Sequence, residues 1–466
     1  MKKSLLALAV LCSGQAYSMD FMLNVNGQLN QQAVAAEVAA KGGVLKSCIP
    51  QIGVCQVAFG SADAAASSGM ALVPDATAFV PQVPDAAPAS SVQSIPLTAS
   101  FANPPASGDD DFFFDLQWGH VAVGAVDAWN AGYRGAGVRV AVLDSGADAD
   151  HPDLAPNINT DLSRSFVMNE AWDYAGTDTF NHGTHTAGTI AAADNGFGVI
   201  GVAPEAELVI LKVLSADSGT GSSYGTMQAM VYAADNGVDI INMSLGLSVR
   251  RNGLFDVNDT PYDTSDDIRF DVGGKDGIAQ FIGTYAKAAN YARKHGVTLF
   301  ASAGNEATDL DHTDSLMHLP SGLPAVNAVS ALGPQLWGAN SGANLDNLAI
   351  YSNYGQSEIE FAAPGGDYSS LFIPGGTSPC TVAGLTRFCY VFDFVFSTGN
   401  NGWYWSVGTS MASPHAAGVA ALIVSANGGR MDPPKLEAEM RRLAQDLGKP
   451  GRDDVYGQGK AYAPAN

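Results

Sequence analysis

Four short runs in this 466-residue chain are almost continuously apolar: VRVAVL at 138–143, LVILKV at 208–213, DIINM at 239–243 and TLFA at 298–301. None alternates polar with apolar residues, so a strand made from any of them buries both faces. The stretches between them, such as 186–193 and 227–234, are rich in Ala and Gly with helical composition. Strands of this kind separated by helices predict an α/β fold: a mostly parallel sheet with helices on both faces. A sheet so built carries its site at the carboxyl ends of the strands.

Polar clusters fall at those ends. Asp144 follows the first strand in LDSG, and on its own could serve an Asx turn. The stretch NHGTHTAG opens a helix with His182 and His185. They sit three apart on one helical face, but without the acidic neighbour of a metalloprotease helix a zinc site is not implied. Asn305 ends ASAGN after the fourth strand. Near the C-terminus, GTSMASPHAAG places Ser410 between a glycine turn and Pro414, ahead of a very apolar helix. Serine caps helices and proline fits a first turn. A helix start also offers N–H groups to a developing oxyanion.

Together these residues supply what acyl transfer needs: a nucleophile, a base, a carboxylate to orient the base, and an amide for the oxyanion. The motifs AVLDSG, NHGTHTAGTIAA, INMSLG, ASAGN, AAPGG and GTSMASPHAAGVAALI follow one another across residues 118–425. In that order the chain resembles the subtilisin family of serine peptidases. The resemblance implies Ser410 as nucleophile, His182 as base and Asp144 as orienting acid. Asn305 and the Ser410 N–H would meet the oxyanion, leaving His185 as a core-facing helix residue.

The resemblance also implies a substrate bound as an added strand. Ser244, Leu245 and Gly246 with Ser302, Ala303 and Gly304 would wall the pocket, and residues 219–223 would form the opposite edge. These walls are small and apolar, which favours large apolar side chains over basic ones. The loop at 193–199 stands where the family holds structural Ca²⁺. Its implied ligands are Asp153, Ala193, Asn195, Phe197 and Val199, with Asp111 or Asp115 in place of the usual N-terminal one. Asp259, Asp263, Asp266 and Asp267, in an insertion at 256–271, are a second candidate for a metal, but the reading favoured there is a solvated acidic loop.

Residues 1–18 have the charged, apolar and small-residue pattern of a signal peptide, which predicts a secreted or periplasmic protein. Residues 19–83 read β-α-β-β-α-β, a ferredoxin-like unit whose closing strand is 78–80. By the same resemblance this is an inhibitory propeptide whose end enters the cleft, making the enzyme its own partner as a zymogen. Residues 84–111, rich in Pro, Ala and Ser, read as a linker with the processing site. The catalytic domain is then 112–466, its C-terminus matching the family's usual ending.

With 23 Lys+Arg against 46 Asp+Glu the formal charge is −23, which disfavours nucleic acid and anionic membranes as partners. Protein or peptide substrates and a monomer are expected. Cys48, Cys55, Cys380 and Cys389 allow three pairings, of which the two local ones are expected. The alternative to a general secreted endopeptidase is a narrow processing peptidase on the same fold, for which insertions around the cleft would be the signature.

Overall fold

The computed structural model describes residues 19–80, 93–96, 109–174, 180–256, 268–269, 274–313 and 315–465. The expected signal peptide, most of the expected linker and the four aspartates of the acidic insertion lie outside the described residues.

The four apolar runs form the middle of an eight-stranded sheet. From one side the order is Val326–Gly333, Thr298–Ser302, Ile240–Met243, Arg139–Asp144 and Glu207–Lys212, all parallel. Ile359–Pro364 pairs in parallel with Val326–Gly333. Strand order reverses at Arg139–Asp144, so the crevice opens at its carboxyl end, where Asp144 stands. Residues 140–143 have no exposed surface, as expected of strands covered on both faces.

One face is covered by helices His182–Ala191 and Thr409–Ala426. The second is buried from Thr409 to Val424, which its small residues permit. At Gly418 a Cβ would lie 2.7 Å from Val202, so glycine sets the approach. Pro414 is the sixth residue of this helix rather than part of its first turn. The other face is covered by Ser223–Asp235 and Gly274–Lys294.

Residues 19–74 form a four-stranded antiparallel sheet ordered Val44–Ile49, Val54–Phe59, Met19–Asn24, Leu72–Pro74, with helices Gln31–Ala40 and Ala62–Ser67. The middle of its two inner strands is buried on both faces. Phe21 and Leu23 join Val34, Val38 and Phe59 in the unit's own core. Met22, Ile49, Val54 and Val73 join the core beneath helices Ser223–Asp235 and Gly274–Lys294.

The strand that closes this unit is Leu72–Pro74, not 78–80 as the sequence suggested. Asp75 and Ala76 divert the chain. The Asp75 carboxylate accepts the Tyr224 N–H (3.0 Å) and the Ser222 hydroxyl (2.7 Å), and the Ala76 carbonyl accepts the Ser223 N–H (2.9 Å). Thr77–Phe79 therefore pairs with Thr220–Ser222 of the larger domain.

A second departure lies in the Pro/Ala/Ser-rich stretch read as linker. Gln93–Pro96 is an edge strand against Gly402–Ser406, which with Val395–Gly399 makes a hairpin. Ile95 is buried in the main core, which fixes this segment despite its composition. The disulfides are the two local ones, Cys48–Cys55 and Cys380–Cys389. No helix among the described residues is long and apolar enough to cross a membrane.

Candidate active site

Asp144 is fully buried where its strand ends, and both its oxygens lie 2.9 Å from His182 Nδ1. The Ser145 N–H donates to Oδ1 at 2.7 Å, which fixes the carboxylate plane. His182 is the first residue of its helix. The Asn181 side chain caps that helix by accepting the Thr184 N–H at 2.8 Å. Gly183 makes the approach possible, because a Cβ there would lie 2.1 Å from the Gly146 carbonyl and 3.1 Å from Asp144 Oδ1.

Ser410 is the second residue of its helix, entered through Gly408 at φ 150°, a conformation that favours glycine. Ser410 Oγ and His182 Nε2 are both buried with no hydrogen-bond partner among the described residues. The catalytic hydrogen bond between a nucleophile and its base often tightens only when substrate binds.

Asn305 is oriented by Thr409, whose N–H and hydroxyl donate to Asn305 Oδ1 at 2.9 and 2.8 Å. That assigns Nδ2 to the other side of the amide. A Cβ on Gly408 would lie 3.5 Å from both Asn305 Nδ2 and the Ser410 nitrogen, so the two amides converge on one place. Asn353, which the sequence reading missed, holds the loop behind them. Its Nδ2 donates to the Ala303 carbonyl (2.9 Å), and its Oδ1 accepts the Thr308 and Glu306 N–H groups (2.9 and 3.2 Å). Nothing in its local sequence distinguishes it from a loop amide. His185 is buried, bonded to the Tyr404 carbonyl at 3.1 Å, and burial pushes its pKa down to about 3.

The candidate pocket segments lie at adjacent strand ends. Ser244–Gly246 follows Ile240–Met243, and Ser302–Gly304 ends its parallel neighbour. Gly246 exchanges two backbone hydrogen bonds of 2.9 Å with Phe79, and Val80 donates to the Gly219 carbonyl at 3.3 Å. Residues 77–80 thus lie as a strand between the two expected cleft edges. His318 was also missed: its buried ring is so close that a Cβ on Gly246 would meet its Cε1 at 2.1 Å. It comes from Leu316–Leu319, which pairs with Leu247–Arg250, so the chain just after the Gly246 wall is tied beside the cleft to the stretch that ends at Leu319.

In the 193–199 loop, buried Asp153 uses one oxygen to accept the Val199 N–H (2.9 Å) and the Trp403 indole N–H (2.7 Å). Its Oδ1 has no partner among the described residues, and burial raises its pKa to about 7. Asn195 Oδ1 accepts the Phe197 N–H at 2.9 Å. Of the two acids left open by the sequence, Asp111 lies on the loop. Its Oδ1 accepts the Phe197 N–H at 2.9 Å and its Oδ2 is unpartnered. Burial and then Asp109 push Asp111 up to about 8. Carboxylate oxygens of Asp109, Asp110, Asp111 and Asp194 all lie within 4.8 Å of one another. The unpartnered buried oxygens of Asp153 and Asp111 and the cluster of four acids are donors of the kind a hard cation takes.

A buried carboxylate holding an imidazole, a serine at a helix start and two converging amides on a doubly wound sheet define a serine hydrolase of the acyl-transfer class. The Subtilase family model matches residues 135–459, and the chain belongs to that family of serine peptidases. It is 32% identical over 343 residues to an intracellular serine protease of Paenibacillus polymyxa, covering 72% of this chain and 82% of that one. Among solved structures, a lanthipeptide protease is 30% identical at TM-score 0.57, covering 74% of this chain and 93% of its own. The epidermin leader peptide processing serine protease of Staphylococcus aureus shares the fold at TM-score 0.69. It is 20% identical, with 96% and 97% covered.

Proposed function

We propose that this chain is a secreted serine endopeptidase made as a self-processing zymogen, with residues 19–80 as its inhibitor. The observation that carries the reading is Thr77–Phe79 lying as a strand between the two cleft edges. Its polypeptide runs antiparallel to residues 244–246, toward Ser244, whose hydroxyl touches the Ser410 carbonyl. A segment so placed occupies the position of a substrate or product.

In the reaction, Ser410 Oγ attacks the scissile carbonyl while His182 Nε2 takes its proton. Asp144 holds the ring by Nδ1 and stabilises the imidazolium. The oxyanion is met by Asn305 Nδ2 and the Ser410 N–H. His182 then passes the proton to the leaving amine, and water releases the acyl group by the same steps reversed. Loss of one oxyanion donor costs roughly 10²–10³ in kcat.

Calcium is the structural cofactor of this reading. Asp153, Asn195 and the carbonyls of Ala193, Phe197 and Val199 would hold it, with Asp111 as the N-terminal acid. The ion would brace the loop that continues the His182 helix.

The test is self-processing of the purified full chain. Wild type is expected to convert to a shorter active form, and Ser410→Ala to stay full length. Added residues 19–80 are expected to inhibit the active form. An active form still beginning at Met19, or full activity in excess of residues 19–80, would contradict the reading.

A narrow processing role is the second reading. It draws on the 30% identity to a lanthipeptide protease and on the strand pair Leu247–Arg250 with Leu316–Leu319 beside the cleft. A cleavage profile on an unbiased peptide library separates it from a general endopeptidase.

A further inference from the structure

Gln93–Pro96 runs antiparallel to Gly402–Ser406, with Ile95 opposite Trp403 and Pro96 opposite Gly402. Ile95 is 2% exposed and belongs to the same core as Phe113, Trp403 and Trp405. The neighbouring strand is shaped to this contact. A Cβ on Gly402 would lie 2.5 Å from the Ile95 carbonyl oxygen, so only glycine admits the segment.

The hairpin thus completed bears directly on the catalytic machinery. The Tyr404 carbonyl faces His185 Nε2 at 3.1 Å. The hydroxyls of Ser397 and Thr398 donate to the carbonyls of His185 and Thr184 at 2.9 and 2.7 Å. The hairpin thereby grips the helix that His182 begins, and its last residue, Ser406, leads into the Ser410 helix. An edge strand at this place braces, through one buried side chain and its backbone pairing, the hairpin that grips the His182 helix.

We propose that Gln93–Pro96 is a lasting strand of the working enzyme. The activating cut then falls between Val80 and Gln93, and the mature chain carries an N-terminal arm ahead of residue 109. This rests on the zymogen reading above and adds where the cut lies and what it leaves behind. Chain direction agrees, since residues 77–80 run antiparallel to 244–246, toward Ser244 and the Ser410 backbone that it touches. In the cut, one peptide C–N bond breaks as Ser410 Oγ bonds to its carbonyl carbon. The Oγ proton passes through His182 to the arm's new amine, and water then frees the carboxylate of the N-terminal piece. A cut beyond Pro96 would instead leave the strand without its covalent tie to the enzyme, and its loss would uncover the edge of Trp403–Trp405.

N-terminal sequencing and intact mass of the self-processed active form test this. The expected N-terminus lies at or before Gln93 and after Val80. An N-terminus at residue 97 or beyond overturns the arm while leaving the zymogen reading standing. An active form beginning at Met19 overturns both. Independently, Ile95→Asp is expected to lower the thermal midpoint of the active form by at least about 3 °C, and Ile95→Val by much less. Equal midpoints in all three would overturn the proposal. If Ile95→Asp does not accumulate, Ile95→Ala is read in its place.

Discussion

The hydroxyl of Ser244 donates to the main-chain carbonyl of Ser410 at 2.8 Å, taking the place of a helical N–H that Pro414 lacks. In an unbroken helix residue 414 would bond the carbonyl of residue 410. Proline leaves that carbonyl open, and Ser244 ties the nucleophile's backbone to a wall of the cleft. Asn242 steadies the link by donating to Ser244 Oγ at 3.1 Å while accepting from Ser413 at 2.6 Å.

Ser244→Ala should therefore leave a buried carbonyl unpartnered and cost about 1–3 kcal/mol of stability. Pro414→Ala restores an N–H that can reach it. The double variant should lose less than Ser244→Ala alone, as read by denaturant melts. Losses that simply add would show that the two groups do not share the carbonyl.

Gly246 meets Phe79 on its backbone and His318 against its α-carbon. Gly246→Ala should push the His318 ring or the strand aside. KM for peptides and Ki for added residues 19–80 should rise together, by about tenfold for each 1.4 kcal/mol of pairing lost. A change in one constant without the other would mean that substrate and residues 77–80 use different edges.

Asp75 gives the inhibitory contact a pH dependence. Burial raises its carboxyl above the ordinary 3.8, partly offset by hydrogen bonds from Ser222, Tyr224 and Gln56, while Asp20 adds to the rise. The bound state thus holds a proton that the free segment gives up. Binding is strongest below 3.8, weakens as pH climbs through the raised bound-state value, and then levels off. Ki for residues 19–80 measured from pH 4 upward should rise accordingly, and Asp75→Ala should flatten the curve. A Ki that falls with pH would reverse the sign and reject the assignment.

Calcium should raise the thermal midpoint of the active form, because an ion bound only by the folded loop stabilises it by mass action. Asp153→Ala should abolish the increase. A midpoint indifferent to calcium and chelator would remove the ion from the loop at 193–199.

How much of this was legible depended on range along the chain. The parallel sheet was readable because a strand buried on both faces must be apolar throughout. The catalytic clusters were readable because each sits on a few consecutive residues at a strand or helix end. Gln93–Pro96 was not: its partner lies some three hundred residues away, and one buried isoleucine among Pro, Ala and Ser leaves no periodic pattern. The end of the N-terminal unit was misplaced because Leu72–Pro74 and Thr77–Phe79 are both short. What parts them is Asp75, whose carboxylate is held by Ser222 and Tyr224 of the larger domain as well as by Gln56 of its own unit. Asn353, Thr409 and His318 act through contacts between distant loops, which leave no trace in local spacing.

The central claim is that Ser410 is a nucleophile activated by His182, and covalent labelling tests it most directly. A fluorophosphonate probe followed by peptide mass spectrometry should place the adduct on Ser410 in the active form. Labelling should vanish in Ser410→Ala and be lost or strongly slowed in His182→Ala. An adduct on another serine, or labelling of Ser410 at the wild-type rate without His182, would contradict the account.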